Sequence, residues 1–129
     1  MADDLKKILY AEDEPDIRAV AQLSLEAVGG FEVELCDSGE AALAAVGTFN
    51  PDLILLDVMM PGMDGPTTLL KLREIPQFAI TPVAFFTAKA MPSEVERFKG
   101  MGALGVISKP FDPMDLPNQV NAIWDLRQK

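Results

Sequence analysis

Five short apolar runs alternate along this chain with five stretches whose apolar residues recur at helical spacing, and no other feature limits the fold as much. The runs cover residues 7–11, the alternating segment with Phe31, Val33 and Leu35, then 53–56, 82–86 and 106–108. Strands linked by helices pair in parallel through right-handed crossovers, and the helices cover both faces of the sheet. The expected architecture is therefore α/β, a doubly wound five-stranded parallel sheet. The 129 residues suffice for one such core and leave nothing over for a second.

Local signals set the expected boundaries. Pro15 suits a helix start, Ile17, Val20, Ala21, Leu25 and Val28 follow at helical spacing, and Gly29-Gly30 stops the pattern. Phe31, Val33 and Leu35 alternate with Glu32 and Glu34, the pattern of an edge strand with one wet face. Asp37, three residues before Glu40, has the spacing to cap a helix carrying Ala41, Ala42, Leu43 and Val46, which Asn50-Pro51 breaks. The unbroken apolar run 53–56 reads as a strand covered on both faces. After the turn-rich MMPGMDG segment, helices are expected from Pro66 to about Ile75, over 92–101 and over 115–127.

Charge and composition exclude several function classes. A net charge of -9 repels nucleic-acid phosphates and argues against general nucleic-acid binding. No apolar stretch approaches the roughly 20 residues that cross a bilayer, and the acidic start MADD is unlike a leader peptide, so a cytoplasmic protein without membrane partners is expected. The lone Cys36, within FEVELC, reads as a small packed side chain. The absence of histidine removes histidine-based nucleophilic arrangements and the common imidazole metal sites.

Four of the runs end in polar anchors: Glu12 and Asp13 after KKILYA, Asp57 after LILL, Thr87 after PVAFF and Lys109 after GVIS. In a parallel sheet these ends share one edge, where open α/β sheets place their ligands. Carboxylates about 4 Å apart at an effective dielectric of about 20 repel by roughly 4 kcal/mol per pair, so the cluster has to bind a cation or take up protons. With oxygen ligands alone on offer, a hard ion such as Mg²⁺ suits the site. An open Mg²⁺ site beside a fixed lysine favours phosphoryl transfer, whose catalysis is mainly positioning and charge neutralisation. Asp57 has the chemistry of a nucleophile that forms an acyl phosphate, and Thr87 and Lys109 that of groups holding phosphoryl oxygens. Singly, each anchor has an ordinary explanation as a solvated acid, a turn-capping threonine or a surface charge; their joint placement is what sets them apart.

In this order and spacing, the pair Glu12-Asp13, LLDVMMPGMDG around Asp57, FFTAKA around Thr87 and SKPF around Lys109 make the chain resemble the receiver domain of bacterial two-component response regulators. The resemblance covers essentially the whole chain, as a single domain over residues 1–129 with no output domain. It implies a flavodoxin-like (βα)5 fold with strand order 2-1-3-4-5, the order this family itself exemplifies. It implies that Asp57 is the phosphoacceptor, that Asp13, Asp57 and the backbone carbonyl of Met59 bind Mg²⁺, and that Glu12 acts on the ion through water. Thr87 and Lys109 would hold the phosphoryl group, and Lys109-Pro110 would be a cis peptide.

The implied donor is a histidine kinase or a histidine phosphotransfer protein, because this chain holds no histidine of its own. The implied outlet is a downstream protein target, reached through the last helix, the fifth strand and the fourth helix; a shuttle role in a phosphorelay is the other option. Such a protein is expected to be a monomer or weak dimer that catalyses only its own phosphorylation and dephosphorylation. Val106 occupies the position, three before the lysine, where the family usually carries an aromatic, so the usual aromatic rotamer change has no side chain to act through. Met59 and Lys89 supply no amide or carboxylate to orient attacking water, which implies a long-lived phosphoryl group.

Two rival readings bear on the same residues. A phosphatase similar to the haloacid dehalogenase class also uses a nucleophilic Asp, Mg²⁺, a hydroxyl and a Lys, but its Asp-x-Asp acid is missing from Asp57-Val58-Met59. A receiver-like module that binds partners without phosphorylation would have no need of the intact acceptor, acids, Thr87 and Lys109.

Overall fold

The computed structural model describes residues 4–127, so Met1, Ala2 and Asp3 of the acidic start lie outside the described residues. Five strands appear among them: β1 (Lys7–Ala11), β2 (Glu32–Cys36), β3 (Leu53–Asp57), β4 (Val83–Thr87) and β5 (Gly105–Ser108). They alternate with helices α1 (Pro15–Leu23), α2 (Gly39–Phe49), α3 (Gly65–Arg73), α4 (Pro92–Gly100) and α5 (Leu116–Trp124). All pairings are parallel and the order is β2-β1-β3-β4-β5, the flavodoxin-like arrangement expected.

Strand side chains alternate between faces, and the sheet sorts them into two cores. Leu9, Ala11, Ile54, Leu56, Val83 and Phe85 face α2, α3 and α4 through Ala42, Val46, Leu69, Leu72 and Phe98. Ile8, Tyr10, Leu53, Leu55, Ala84 and Phe86 face α1 and α5 through Ala21, Leu25, Leu116, Val120 and Ile123. At about 1.5–3 kcal/mol for each large side chain buried, both cores hold the sheet and thereby fix the strand ends. Strands β3 and β4 are buried along their length, as their unbroken apolar sequences require. At the edge, β2 exposes Glu32 and Glu34 and half-buries Val33 and Leu35.

Several local expectations shift. Ser38, not Asp37, caps α2: its hydroxyl accepts from Ala41 N at 3.0 Å, and Glu40 falls in the first turn, where its charge suits the helix dipole. The helix after β1 is regular only to Leu23, and continues as a π-helical turn over Ser24–Val28 before Gly30 takes a left-handed φ of 75°. Ala21 and Leu25 are buried, but Val28 is exposed, because the wider turn moves it off the core line. Val20 is 44% exposed and lies beside Phe111 in a surface hollow. Strand β2 begins at Glu32 because buried Phe31 still belongs to the preceding turn, its N–H donating to Leu25 O at 3.0 Å. Helix α5 ends at Trp124, short of the expected 127.

The loop after β3 closes tightly beneath the sheet edge. Asp64 caps α3 by accepting from Thr67 N at 2.8 Å, and Gly65 N donates to Val58 O at 3.0 Å. A Cβ at Gly65 would stand 2.5 Å from the Asp57 carbonyl oxygen, so only glycine allows α3 to start this close.

Candidate functional site

Register brings the four anchors together. Ala11 pairs with Leu56, Asp57 with Phe86 and Thr87 with Ser108, so Glu12, Asp57, Thr87 and Lys109 leave adjacent strands along one edge. Backbone bonds extend the ladder past the strand ends: Glu12 N to Cys36 O at 3.0 Å, Val58 N to Phe86 O at 2.9 Å and Lys109 N to Thr87 O at 2.8 Å. The Lys109-Pro110 peptide is cis, as expected.

Glu12, Asp13 and Asp57 each offer a carboxylate oxygen within 4.8 Å of the others. Lys109 Nζ donates to Glu12 Oε1 and Asp57 Oδ1, both at 3.0 Å. One ammonium thus offsets two of three acids. Glu12 is wholly buried and Asp57 is 3% exposed. Thr87 Oγ1 accepts from Lys89 N at 3.0 Å, and its own proton makes only a long bond to Lys89 O at 3.5 Å, which a stronger acceptor in the cleft could replace. A cleft of ≈ 390 Å³, lined among others by Asp57, Thr87, Lys109, Ala88 and Glu14, opens onto this group.

The electrostatics follow from this crowding. Burial raises the Asp57 pKa from 3.8 to about 6; the Lys109 hydrogen bond opposes the rise, and the charges of Glu12 and Asp13 add to it. Burial works against the Lys109 ammonium, but its hydrogen bonds to Glu12 and Asp57 prevail and lift its pKa above the ordinary value.

Asp13 Oδ1 is buried and finds no hydrogen-bond partner. A buried carboxylate oxygen left without a partner, in a set of three acids with oxygen donors only, fits a hard divalent cation such as Mg²⁺. Met59, two residues after Asp57, is 77% exposed. Val106 is half-buried and packs against the core beneath α2, α3 and α4. Cys36 is buried, and burial with nearby Glu34 and Asp37 pushes its thiol up to about 11, which leaves it an inert packed side chain.

The sequence analysis overlooked three supports of Glu12. Tyr10 OH donates to Glu12 Oε1 at 3.2 Å, Glu14 N donates to Oε2 at 3.2 Å, and Arg18 Nη1 donates to the Glu12 carbonyl at 2.7 Å. Tyr10 had been absorbed into the apolar run, yet its place two residues before Glu12 puts both on the same side of the strand. Burial, then the Glu12 charge and hydrogen bond, raise the Tyr10 pKa, so its hydroxyl remains a donor.

Comparison with known proteins agrees with this geometry. The family described as response regulator receiver domain matches residues 8–121. The response regulator Rre1 of Synechocystis sp. is 38% identical over 109 residues, 84% of this chain and 47% of that protein. The alkaline phosphatase synthesis transcriptional regulatory protein PhoP of Bacillus subtilis is 38% identical over 120 residues, 92% of this chain and 48% of that protein. The chain therefore spans about half the length of these curated relatives. Among solved structures, the chemotaxis response regulator CheY4 of Vibrio cholerae superposes with a TM-score of 0.85 at 31% identity, covering 93% of this chain and 99% of that one. With its matching parallel sheet and its acids and lysine gathered at the edge, the chain belongs to the response regulator receiver domain family.

Proposed function

We propose that this chain takes a phosphoryl group onto Asp57 from a phosphohistidine, carried by a histidine kinase or a histidine phosphotransfer protein, and passes its changed state to a downstream protein. The observation that carries this reading is Lys109 Nζ shared between Glu12 and Asp57 beside the unpartnered Asp13 oxygen. Asp13, Asp57 and the Met59 carbonyl would hold Mg²⁺, with Glu12 orienting it. When bound, the ion supplies charge neutralisation for the carboxylates and the incoming phosphoryl oxygens. An Asp57 carboxylate oxygen attacks phosphorus, the P–N bond to the donor imidazole breaks, and its electron pair leaves with the imidazole. Lys109 then pairs with one phosphoryl oxygen and the Thr87 hydroxyl donates to another.

Incubation with Mg²⁺ and a small phosphoramidate should add one phosphoryl group per chain in a hydroxylamine-sensitive bond, as an acyl phosphate requires. Repeated release of phosphate from small monoesters would favour the phosphatase reading instead. That reading places an acid two residues beyond the nucleophile, where this chain presents the exposed thioether of Met59.

A second hollow at this edge suits docking of the donor. Ile17, Val20, Pro110 and Phe111 line ≈ 240 Å³ of mainly apolar space that shares Ile17, Lys109 and Pro110 with the cleft. An apolar helix face carrying the phosphohistidine fits there. Val20→Asp is expected to slow transfer from a protein donor about tenfold while leaving the rate with a small donor unchanged. Equal slowing with both donors would remove the docking argument.

Exposed Met59 and Lys89 flank the acceptor without a group to orient water. Timing phosphate loss should therefore show a shorter lifetime in Met59→Asn and Lys89→Glu, and no acceleration in either would contradict the expected long lifetime.

A further inference from the structure

We infer that Tyr10 is a positioning residue for phosphoryl capture: its hydroxyl keeps the Glu12 carboxylate in place so that Lys109 can leave Glu12 for the phosphoryl group. This rests on the reading of Asp57 as phosphoacceptor. Glu12 Oε1 has two donors, Tyr10 OH at 3.2 Å and Lys109 Nζ at 3.0 Å, while Oε2 takes the Glu14 N–H at 3.2 Å. Lys109 is also committed to Asp57 at 3.0 Å, so capture of an anionic group at Asp57 draws it away from Glu12. Glu12 is 0% exposed, and solvent does not reach the vacated oxygen. Among the side chains of the described residues, Tyr10 is then the remaining donor to Oε1.

The hydroxyl is held ready by its ring. Tyr10 is fully buried, and its ring meets Phe86 at 5.1 Å between centroids; Phe86 in turn meets Phe111 at 5.5 Å, next to the Lys109-Pro110 turn. Such packing locks the ring, so the hydrogen bond to Glu12 needs no reorganisation when Lys109 moves. Without Tyr10, Oε1 would lose its last side-chain donor in the captured state, a costly loss for a buried carboxylate that the free state, with Lys109 in place, does not suffer. The bland alternative makes Tyr10 an ordinary core residue with a satisfied hydroxyl. Removing the hydroxyl would then affect folding but not capture.

The chain has a single tyrosine, so the tyrosine bands of its ultraviolet resonance Raman spectrum report this hydroxyl. Saturation with Mg²⁺ and beryllofluoride, a phosphoryl mimic, should shift those bands toward stronger donation as Lys109 leaves Glu12. In Tyr10→Phe, beryllofluoride affinity should fall about tenfold, the order of one hydrogen bond to a charged group, while affinity for Mg²⁺ alone changes less than about threefold. Unshifted tyrosine bands in the saturated parent, or unchanged beryllofluoride affinity in the variant, would overturn the inference. Should the variant fail to fold, the parent spectrum decides. If beryllofluoride leaves the parent's amide NMR spectrum unchanged, the phosphoacceptor reading fails first and the role of Tyr10 with it.

Discussion

Asp57→Asn is expected to lose phosphoryl uptake altogether and, with metal chelated, to be more stable than the parent at neutral pH. The first effect is chemical. A carboxamide is no nucleophile toward phosphorus, and the neighbouring acid Glu12 is wholly buried and tied to Tyr10, Glu14 and Lys109. Labelling from a phosphohistidine donor at the parent level would reject Asp57 as the acceptor.

The second effect follows from the raised pKa. Burial foremost, with Glu12 and Asp13, moves Asp57 from 3.8 to about 6 against the pull of Lys109, so the folded protein binds this proton more tightly than the unfolded chain. The stability linked to that proton is complete below 3.8 and is lost as pH rises through about 6. Above that window the ionised group costs on the order of 3 kcal/mol. Asparagine resembles the protonated acid, so urea unfolding in chelator should show a gain of that order at about pH 7.5 and almost none at about pH 4. Mg²⁺ should narrow the gap, because it binds the folded parent through its charged acids. A gain independent of pH, or a loss of stability at neutral pH, would contradict the electrostatic account.

Lys109→Met is expected to be the more disruptive change. Among the described residues it removes the only cation bonded to the side-chain carboxylates of Glu12 and Asp57, and leaves the first of these wholly buried. Breaking a buried pair from one side typically costs about 3–5 kcal/mol; the Lys109 side chain keeps some solvent contact, which argues for the lower end. The same substitution removes the partner proposed for a phosphoryl oxygen, so beryllofluoride should no longer perturb the amide NMR spectrum. Adding Asp57→Asn should restore part of the lost stability by more than about 1 kcal/mol beyond additivity, because the two groups share one hydrogen bond. Simple addition of the two effects in a double-mutant cycle would show that the pair is not coupled.

Both predictions rest on residues that were legible in the sequence, because their signal is a polar group at the end of an apolar run. Glu12, Asp57, Thr87 and Lys109 needed only parallel pairing to meet, and the register supplies it. Fully apolar β3 and β4 and the glutamate-studded β2 were equally plain, since exposure imprints itself directly on strand residues. Tyr10 was hidden for the opposite reason. A tyrosine in an apolar run looks like core, and it is core; its second role depends on where one hydroxyl points. The cap on α2 slipped from Asp37 to Ser38 because both residues can cap and the choice rests on the backbone angle at the helix start. Val28 shares the helical period of Ala21 and Leu25, yet a π-helical turn is not written in periodicity.

The Lys109 bonds to Glu12 and Asp57 span 97 and 52 residues of sequence. Contacts of that sequence separation carry a high loop-closure cost and are intrinsically slow to form. Glu12 follows β1 and Lys109 follows β5, so no fragment lacking either strand holds the whole charge arrangement, and phosphoryl capture, as proposed above, would double as a test of completed folding. On the function proposed above, a chain still missing its first or last strand would not take up a phosphoryl group.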